Sequence, residues 1–318
     1  MWQHQSAATD PPIESVKPDV LMQSEIDSVS ASDWVPRYTE WSKDLYENAA
    51  THTPTPNQKH VLETIHFRVV KENYELLHED YSSIWAAKPA DIQVEEPLLR
   101  LVHGLPGSGK SKLLLWIKDY FRTVWQWKMN NQFSIVAPQN SMADNVGGDT
   151  LHSFGNIPFK DHRGKLVNTH GFLDDEKQSL LSTRWHNLRF LFVDEIEAVG
   201  VNILGEVQHK MTSVVPFRHE LPEALKCPLH PQRKVNRSFG GVNVIFFGDF
   251  WQLDPAGSKS FMSNPNSACG DARADMMMTM FWHASHTEDT KHHHLQPWRN
   301  ASRVFELTTN IRTWGVLH

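Results

Sequence analysis

Apolar residues in this chain fall into short, nearly unbroken runs, separated by polar stretches long enough to hold helices. The runs are Leu98 to Val102, Phe133 to Ala137, Leu188 to Val193, Val242 to Phe247 and Val304 to Leu307. A strand covered on both faces needs apolar side chains at successive positions, so these runs predict the buried strands of a mainly parallel sheet flanked by helices, an α/β fold. His60 to Leu77 is different. Val61, Ile65, Val69, Val70, Leu76 and Leu77 recur at helical spacing and predict a helix ahead of the first strand. Leu113 to Ile117 predicts the opening of another helix just behind it. Glu206 to Gly241, with several prolines and basic residues, and the polar, His- and Met-rich Ala256 to Pro297 read as irregular.

Length and composition narrow the class. The 318 residues, 40% of them hydrophobic, suffice for one large core or two modest ones. No apolar run approaches the ~20 residues that span a bilayer. The N-terminus lacks the basic and apolar blocks of a signal peptide, so the expectation is neither a membrane nor a secreted protein. Cys227 and Cys269 are too few for a disulfide framework or a four-thiolate zinc site, which makes a reducing compartment the default. The net charge of −6 is concentrated at one end: residues 1–50 hold nine acidic side chains against Lys17, Arg37 and Lys43. Residues 1–53, rich in Ser, Pro and Asp, are expected to form a mostly disordered acidic extension with at most short helices. The remainder is charge-balanced and neither requires nor excludes a polyanionic partner.

The chemistry is concentrated in three blocks, each at the end of an apolar run. Gly104-Leu105-Pro106-Gly107-Ser108-Gly109-Lys110-Ser111 fits the phosphate-binding loop pattern at every fixed position. Its glycines let backbone N–H groups turn inward around a polyphosphate; Lys110 reaches the β and γ phosphates and the Ser111 hydroxyl ligates Mg²⁺. ATP and Mg²⁺ are the implied cofactors. The second block, Leu191 to Ile196, ends in consecutive carboxylates 84 positions after Lys110. Asp194 suits a water-mediated Mg²⁺ contact, and Glu195 can polarise an attacking water. The third block is Phe246-Phe247-Gly248-Asp249-Phe250-Trp251-Gln252-Leu253, in which the Gln252 amide can sense the γ-phosphate or the attacking water. Phe250 and Trp251 are read as core packing.

In this order the blocks resemble superfamily 1B DNA helicases of the petite-integration-frequency (PIF) family, with Helitron-type helicase domains as near cousins. The resemblance runs from about Pro54 to Arg312. Pro56-Asn57-Gln58 looks like that family's Q motif, Ser134 to Ser153 like motif Ia with its trailing Gly-x-Thr-x-His-Ser, and Phe305 to Arg312 like motif IV. The resemblance implies that 54–318 is a RecA-like P-loop NTPase motor lobe and that the second RecA-like lobe of the family falls outside this chain. It also implies that Gln58 reads the adenine edge, that Arg312 supplies charge at the γ-phosphate, and that Thr150, His152 and Ser153 hold a DNA backbone. A small wedge insertion is expected over 256–280.

Three positions depart from the family pattern. Asp254 stands where the first of two prolines is usual, Glu197 where Ser or another small residue is usual, and Pro138-Gln139-Asn140-Ser141 where Thr-Gly or Ser-Gly is usual. The cluster His283, His286, His292, His293 and His294 lacks fixed ligand spacing and reads as a solvated loop rather than a zinc site.

The implied activity is ATP-dependent 5′-to-3′ DNA unwinding, with single-stranded DNA and duplex junctions as partners and the nucleus as compartment. The alternatives are a degenerate nucleotide- or DNA-binding adaptor lobe and a P-loop kinase. An arginine-rich lid is missing for the kinase, which would also leave the Gln252 block unexplained.

Overall fold

The five apolar runs are five strands of one sheet. The computed structural model describes residues 31–47, 53–77, 97–160, 166–167, 175–214, 238–252, 255, 258–261, 274–275, 277 and 303–309. Within these, β1 is Leu99–Gly104, β2 Phe133–Ala137, β3 Asp149–Thr150, β4 Phe159–Lys160, β5 Leu166–Val167, β6 Phe190–Val193, β7 Asn243–Gly248 and β8 Arg303–Leu307. The main sheet has six strands in the order β3-β2-β6-β7-β1-β8, and every pairing is parallel. β3 carries no apolar signal because it is a two-residue polar edge strand, paired only through Val136↔Asp149 and Ala137↔Thr150. β4 and β5 form a separate antiparallel hairpin. In a parallel sheet all strand ends of one kind share an edge, so everything that follows β1, β2, β6, β7 and β8 emerges on one side.

The helices are α1 Ala31–Tyr46, α2 Pro56–Leu77, α3 Lys110–Thr123, α4 Asn140–Val146, α5 Leu151–Phe154, α6 Asp175–Trp185 and α7 Val201–Val214. Strand alternation divides the core between the two sheet faces. Phe190, Phe192, Ile245 and Phe247 point to the face covered by α1, α2 and α3. Leu191, Val193, Val244 and Phe246 point to the face covered by α5, α6 and α7. Phe121, Phe133, Phe190, Phe192 and Phe247 are fully buried, and each such side chain contributes about 1.5–3 kcal/mol of transfer free energy.

Two expectations are corrected here. Part of the 1–53 extension is ordered: Trp34, Tyr38 and Trp41 lie on one face of α1, Tyr38 stacks on His66 at 3.7 Å and Trp34 on Trp125 at 5.3 Å. Trp41 Nε1 also donates to Asp119 Oδ2 of α3 at 2.8 Å. Scattered tryptophans in an acidic segment read as disorder, but at three- and four-residue spacing they form an apolar helix face. Likewise, the stretch from Glu206 is not irregular until Val214, because Leu204, Val207, Met211 and Val214 form the buried stripe of α7. Most of the expected wedge at 256–280 lies outside the described residues, and those described within it form no strand.

The amino-terminal edge of the sheet is closed by a buried polar cluster. Arg68 Nη2 pairs with Glu72 Oε1 at 2.9 Å, and Arg68 Nε donates to Asn243 Oδ1 at 3.0 Å. Asn243 Nδ2 donates in turn to Glu72 Oε1 at 2.7 Å and to Arg189 O at 3.0 Å, while Leu98 N donates to Asn243 Oδ1 at 2.8 Å. One side chain at the start of β7 thereby ties α2, β1 and β6 together.

Candidate active site

The carboxyl-terminal edge of the sheet holds the site. Residues 104–111 connect β1 to α3, so the loop lies over the amino terminus of a 14-residue helix, whose unsatisfied N–H groups favour an anion. Gly107 and Gly109 have φ of 86° and 85°, a left-handed conformation that a side chain would strain. Lys110 is buried and donates to Gly104 O across the loop. Ser108 is also buried, and its Oγ has no hydrogen-bond partner in the described structure. Leu105 and Ser111 face solvent.

Asp194 follows β6, with its N–H bonded to Val136 O at 2.8 Å, and is 4% exposed. Burial, and then the neighbouring Glu195 charge, raise its carboxyl from 3.8 to about 7, partly opposed by a backbone hydrogen bond and Lys110. Glu195 stands beyond the strand, in a left-handed conformation with φ 51° and ψ 51°, at the entry to a 3-10 turn over Ile196–Ala198. It diverges from Asp194 through this positive φ rather than by strand alternation, a strained geometry of the kind found at reactive sites. Glu197 is buried as well. Burial first, and a side-chain hydrogen bond with Glu195 second, hold its carboxyl well above the usual range.

The turn after β7 is organised by Asp249, itself 1% exposed. Asp249 Oδ1 accepts from Trp251 N at 3.1 Å, and Oδ2 from Gln252 Nε2 at 3.3 Å. His103 Nε2, from the penultimate residue of β1, lies 3.7 Å from Asp249 Oδ1, and its ring stacks on Phe250 at 6.3 Å. Phe250 packs against the core as expected, but Trp251 does not: it is 82% exposed, because the turn anchored by Asp249 directs it outward.

The structure brings together the residues of the three blocks. Asp194 and Glu195, Gln252, and the loop from Gly104 to Ser111 follow β6, β7 and β1, three neighbouring strands. Gln58 also reaches the loop. It is fully buried, with Nε2 3.3 Å from Ser108 O and 3.4 Å from Gly109 O, while Oε1 accepts from Thr55 N at 2.9 Å. Its amide thus braces the loop and Thr55. Thr150, His152 and Ser153 sit apart, at the β3 edge. Thr150 Oγ1 caps α5 by accepting from Ser153 N at 3.1 Å, and burial lowers the His152 pKa, favouring the neutral ring. Arg312 and the histidine cluster lie outside the described residues; β8, which leads to Arg312, pairs with β1 through Gly104↔Leu307.

Sequence reasoning gave no role to Asp249 and Asn57, which it placed inside motifs, and did not single out His103. Asn57 Nδ2 donates to Glu306 O at 2.7 Å and so ties the start of α2 to β8. None of these carries a spacing signal; only proximity in the sheet reveals them. For a divalent cation the donor set fits: Ser111 and Asp194 offer hard oxygen ligands, and the Asp194 carboxylate is buried with its charged form disfavoured, the condition a cation relieves.

A parallel sheet bearing a phosphate loop, an acidic pair and a glutamine turn on adjacent strand ends defines a P-loop NTPase of the RecA-like kind. The chain belongs to the PIF1-like helicase family, whose model matches residues 76–269. Among its relatives, the ATP-dependent DNA helicase PIF1 of Candida albicans is 32% identical over 157 residues, 49% of this chain and 14% of that protein. The ATP-dependent DNA helicase RRM3 of Saccharomyces cerevisiae is 25% identical over 156 residues, 49% of this chain and 18% of that protein. The matched region spans between 14% and 20% of the length of these and four further relatives. The crystal structure of Pif1 helicase from Candida albicans aligns with a TM-score of 0.46 at 18% identity, covering 83% of this chain and 42% of that one.

Proposed function

We propose that this chain is the ATP-binding motor lobe of a DNA helicase that moves 5′ to 3′ along a single strand, with single-stranded DNA and duplex junctions as substrates and the nucleus as compartment. The observation that supports this most is the meeting of Lys110, the Asp194–Glu195 pair and Gln252 on the ends of β1, β6 and β7, in a family whose named relatives are ATP-dependent DNA helicases. In this reading the loop N–H groups and Lys110 hold the phosphates, and Gln58, which braces the loop, reads the adenine edge. Ser111 and Asp194 would hold Mg²⁺, which neutralises phosphate charge. Glu195 orients the attacking water, and Gln252 distinguishes ATP from ADP by its γ-phosphate contact. Thr150, His152 and Ser153 hold the DNA backbone at the far edge of the same sheet. Arg312, following β8, supplies transition-state charge.

Translocation requires a second RecA-like lobe that closes against this one around ATP. The purified chain is therefore expected to bind Mg·ATP in calorimetry and to displace a strand from a 5′-tailed duplex only when that lobe is supplied, in a longer chain or in trans. ATP hydrolysis by the two-lobe protein is expected to rise with single-stranded DNA. Phosphoryl transfer to a small acceptor would establish a kinase instead, and nucleotide binding without DNA-stimulated hydrolysis an adaptor.

A further inference from the structure

One carboxylate in the site has no part in the scheme above. Glu197 stands three residues beyond Asp194, 4% exposed, beneath the end of β7. Its Oε2 accepts from Asp249 N at 3.1 Å, and the Glu195 carboxyl lies close enough to raise its pKa, second to burial. The fit is close. A Cβ on Gly248 would lie 2.2 Å from Glu197 Oε2 and 2.6 Å from Ile196 Cγ2, so this carboxyl occupies the room that only a glycine leaves. Asp249, which Glu197 receives through the backbone, holds the Gln252 amide with its own carboxylate at 3.3 Å.

We propose that Glu197 is a positioning residue that ties Glu195 to the Asp249–Gln252 turn, so that the water-orienting carboxylate and the γ-phosphate sensor are held as one unit. This rests on the nucleotide reading given above. The physical argument is one of matched bonds. Glu195 adopts a positive φ that its own backbone disfavours, and a side-chain partner fixes where its carboxylate points. The Gln252 turn is held at its other end by Asp249, whose N–H is satisfied by Glu197 rather than by sheet pairing. Movement on either side is transmitted through one buried carboxyl. A buried group that merely filled space would need no polar atoms, and burying this one without both bonds would be costly.

A glutamine at 197 offers the same two bonds, with its carbonyl accepting from Asp249 N and its NH₂ donating to Glu195. An alanine offers neither. The test compares the binding of Mg·ADP and of Mg·ADP with aluminium fluoride, a mimic of the transferring phosphoryl group, by calorimetry on the parent chain, Glu197→Gln, Glu197→Ala and Gly248→Ala. Glu197→Ala is expected to bind Mg·ADP as the parent does, and to lose about 10- to 100-fold of the aluminium fluoride enhancement, the range for losing a group that orients a ligand of a reactive centre. Glu197→Gln should restore the enhancement. Gly248→Ala, which displaces the carboxyl without deleting it, should reproduce the loss. Equal weakening of both ligands in Glu197→Ala, or failure of Glu197→Gln to rescue, overturns the proposal. So does a parent chain that binds Mg·ADP without any enhancement, since the bridge would then position nothing. A parent chain that binds neither ligand refutes the nucleotide reading itself.

Discussion

Strand β7 begins at Asn243 inside a cluster in which a cation, an anion and an amide meet, Arg68 with Glu72 at 2.9 Å and Asn243 bonded to both. Five residues on, Gly248 leads into a region where Asp194, Glu197 and Asp249 are all buried and Lys110 is the buried cation beside them. At the first end a cation faces an anion, and both polar atoms of the Asn243 amide are hydrogen-bonded. At the second, like charges crowd, Glu195 carries a positive φ, and the carboxyls of Asp194 and Glu197 resist ionisation. The comparison teaches how one short strand serves stability and chemistry together. The paired end fixes the register of β7 against β1 and β6, and that register allows unfavourable groups to be held at the other end, where a cation and a polyphosphate would relieve them.

The contrast is broken most severely at the reactive end. Glu195→Gln should leave Mg·ATP affinity unchanged and lower DNA-stimulated hydrolysis by the two-lobe protein by ~10²–10⁴-fold, the usual contribution of a general base; a parent-like rate would remove Glu195 from that role. At the paired end, Arg68→Ala should cost about 3–5 kcal/mol in urea unfolding, because it strands the Glu72 carboxylate. A loss below ~1 kcal/mol would mean that the cluster does not anchor β7.

Asp194 sharpens the comparison through pH. Its carboxyl titrates at about 7 when folded and near 3.8 when unfolded, so the folded state holds an additional proton between those values. The Asp194 contribution to stability should therefore fall as pH rises from about 4 to about 7 and level off above, while the raised Glu197 carboxyl adds a decline in the same direction. Asp194→Asn should remove its share of that slope, leaving the part due to Glu197, and stabilise the nucleotide-free protein at pH 8 by a ceiling on the order of 4 kcal/mol. Thermal melts across pH 4–8 decide it, and an unchanged slope would contradict the assignment. The smallest effect is expected from Lys110→Ala, which deletes a charge-assisted contact and should weaken ATP by about 1.5–3 kcal/mol in calorimetry. Unchanged affinity would show that the loop does not grip phosphate through this residue.

Much of the reactive end was legible in the sequence, because a phosphate loop is a local device: eight consecutive residues specify turn, helix entry and charge. The strands were legible for a related reason, since burial on both faces writes itself as unbroken apolar runs. The paired end was not. Arg68, Glu72 and Asn243 are separated by up to 175 positions and meet only through the strand order. Glu197 shows the limit most clearly: the sequence marks it as an extra acid near the metal ligand, whereas its bond to Asp249 N depends on β6 and β7 being neighbours. The ordered α1 was missed because its signal lies in three aromatic residues within an acidic segment.

The outward placement of Trp251 makes the protein its own optical instrument. Trp125 and Trp185 lie in the core at 2% and 0% exposure, while Trp251 is 82% exposed on the turn that carries Gln252. Its indole emits from a water-like environment, at the red edge of the spectrum, and is open to a soluble quencher that the buried pair excludes. The difference in quenchable emission between the parent and Trp251→Phe thus reads the position of a single turn without any attached dye, within a chain of 12 tryptophans.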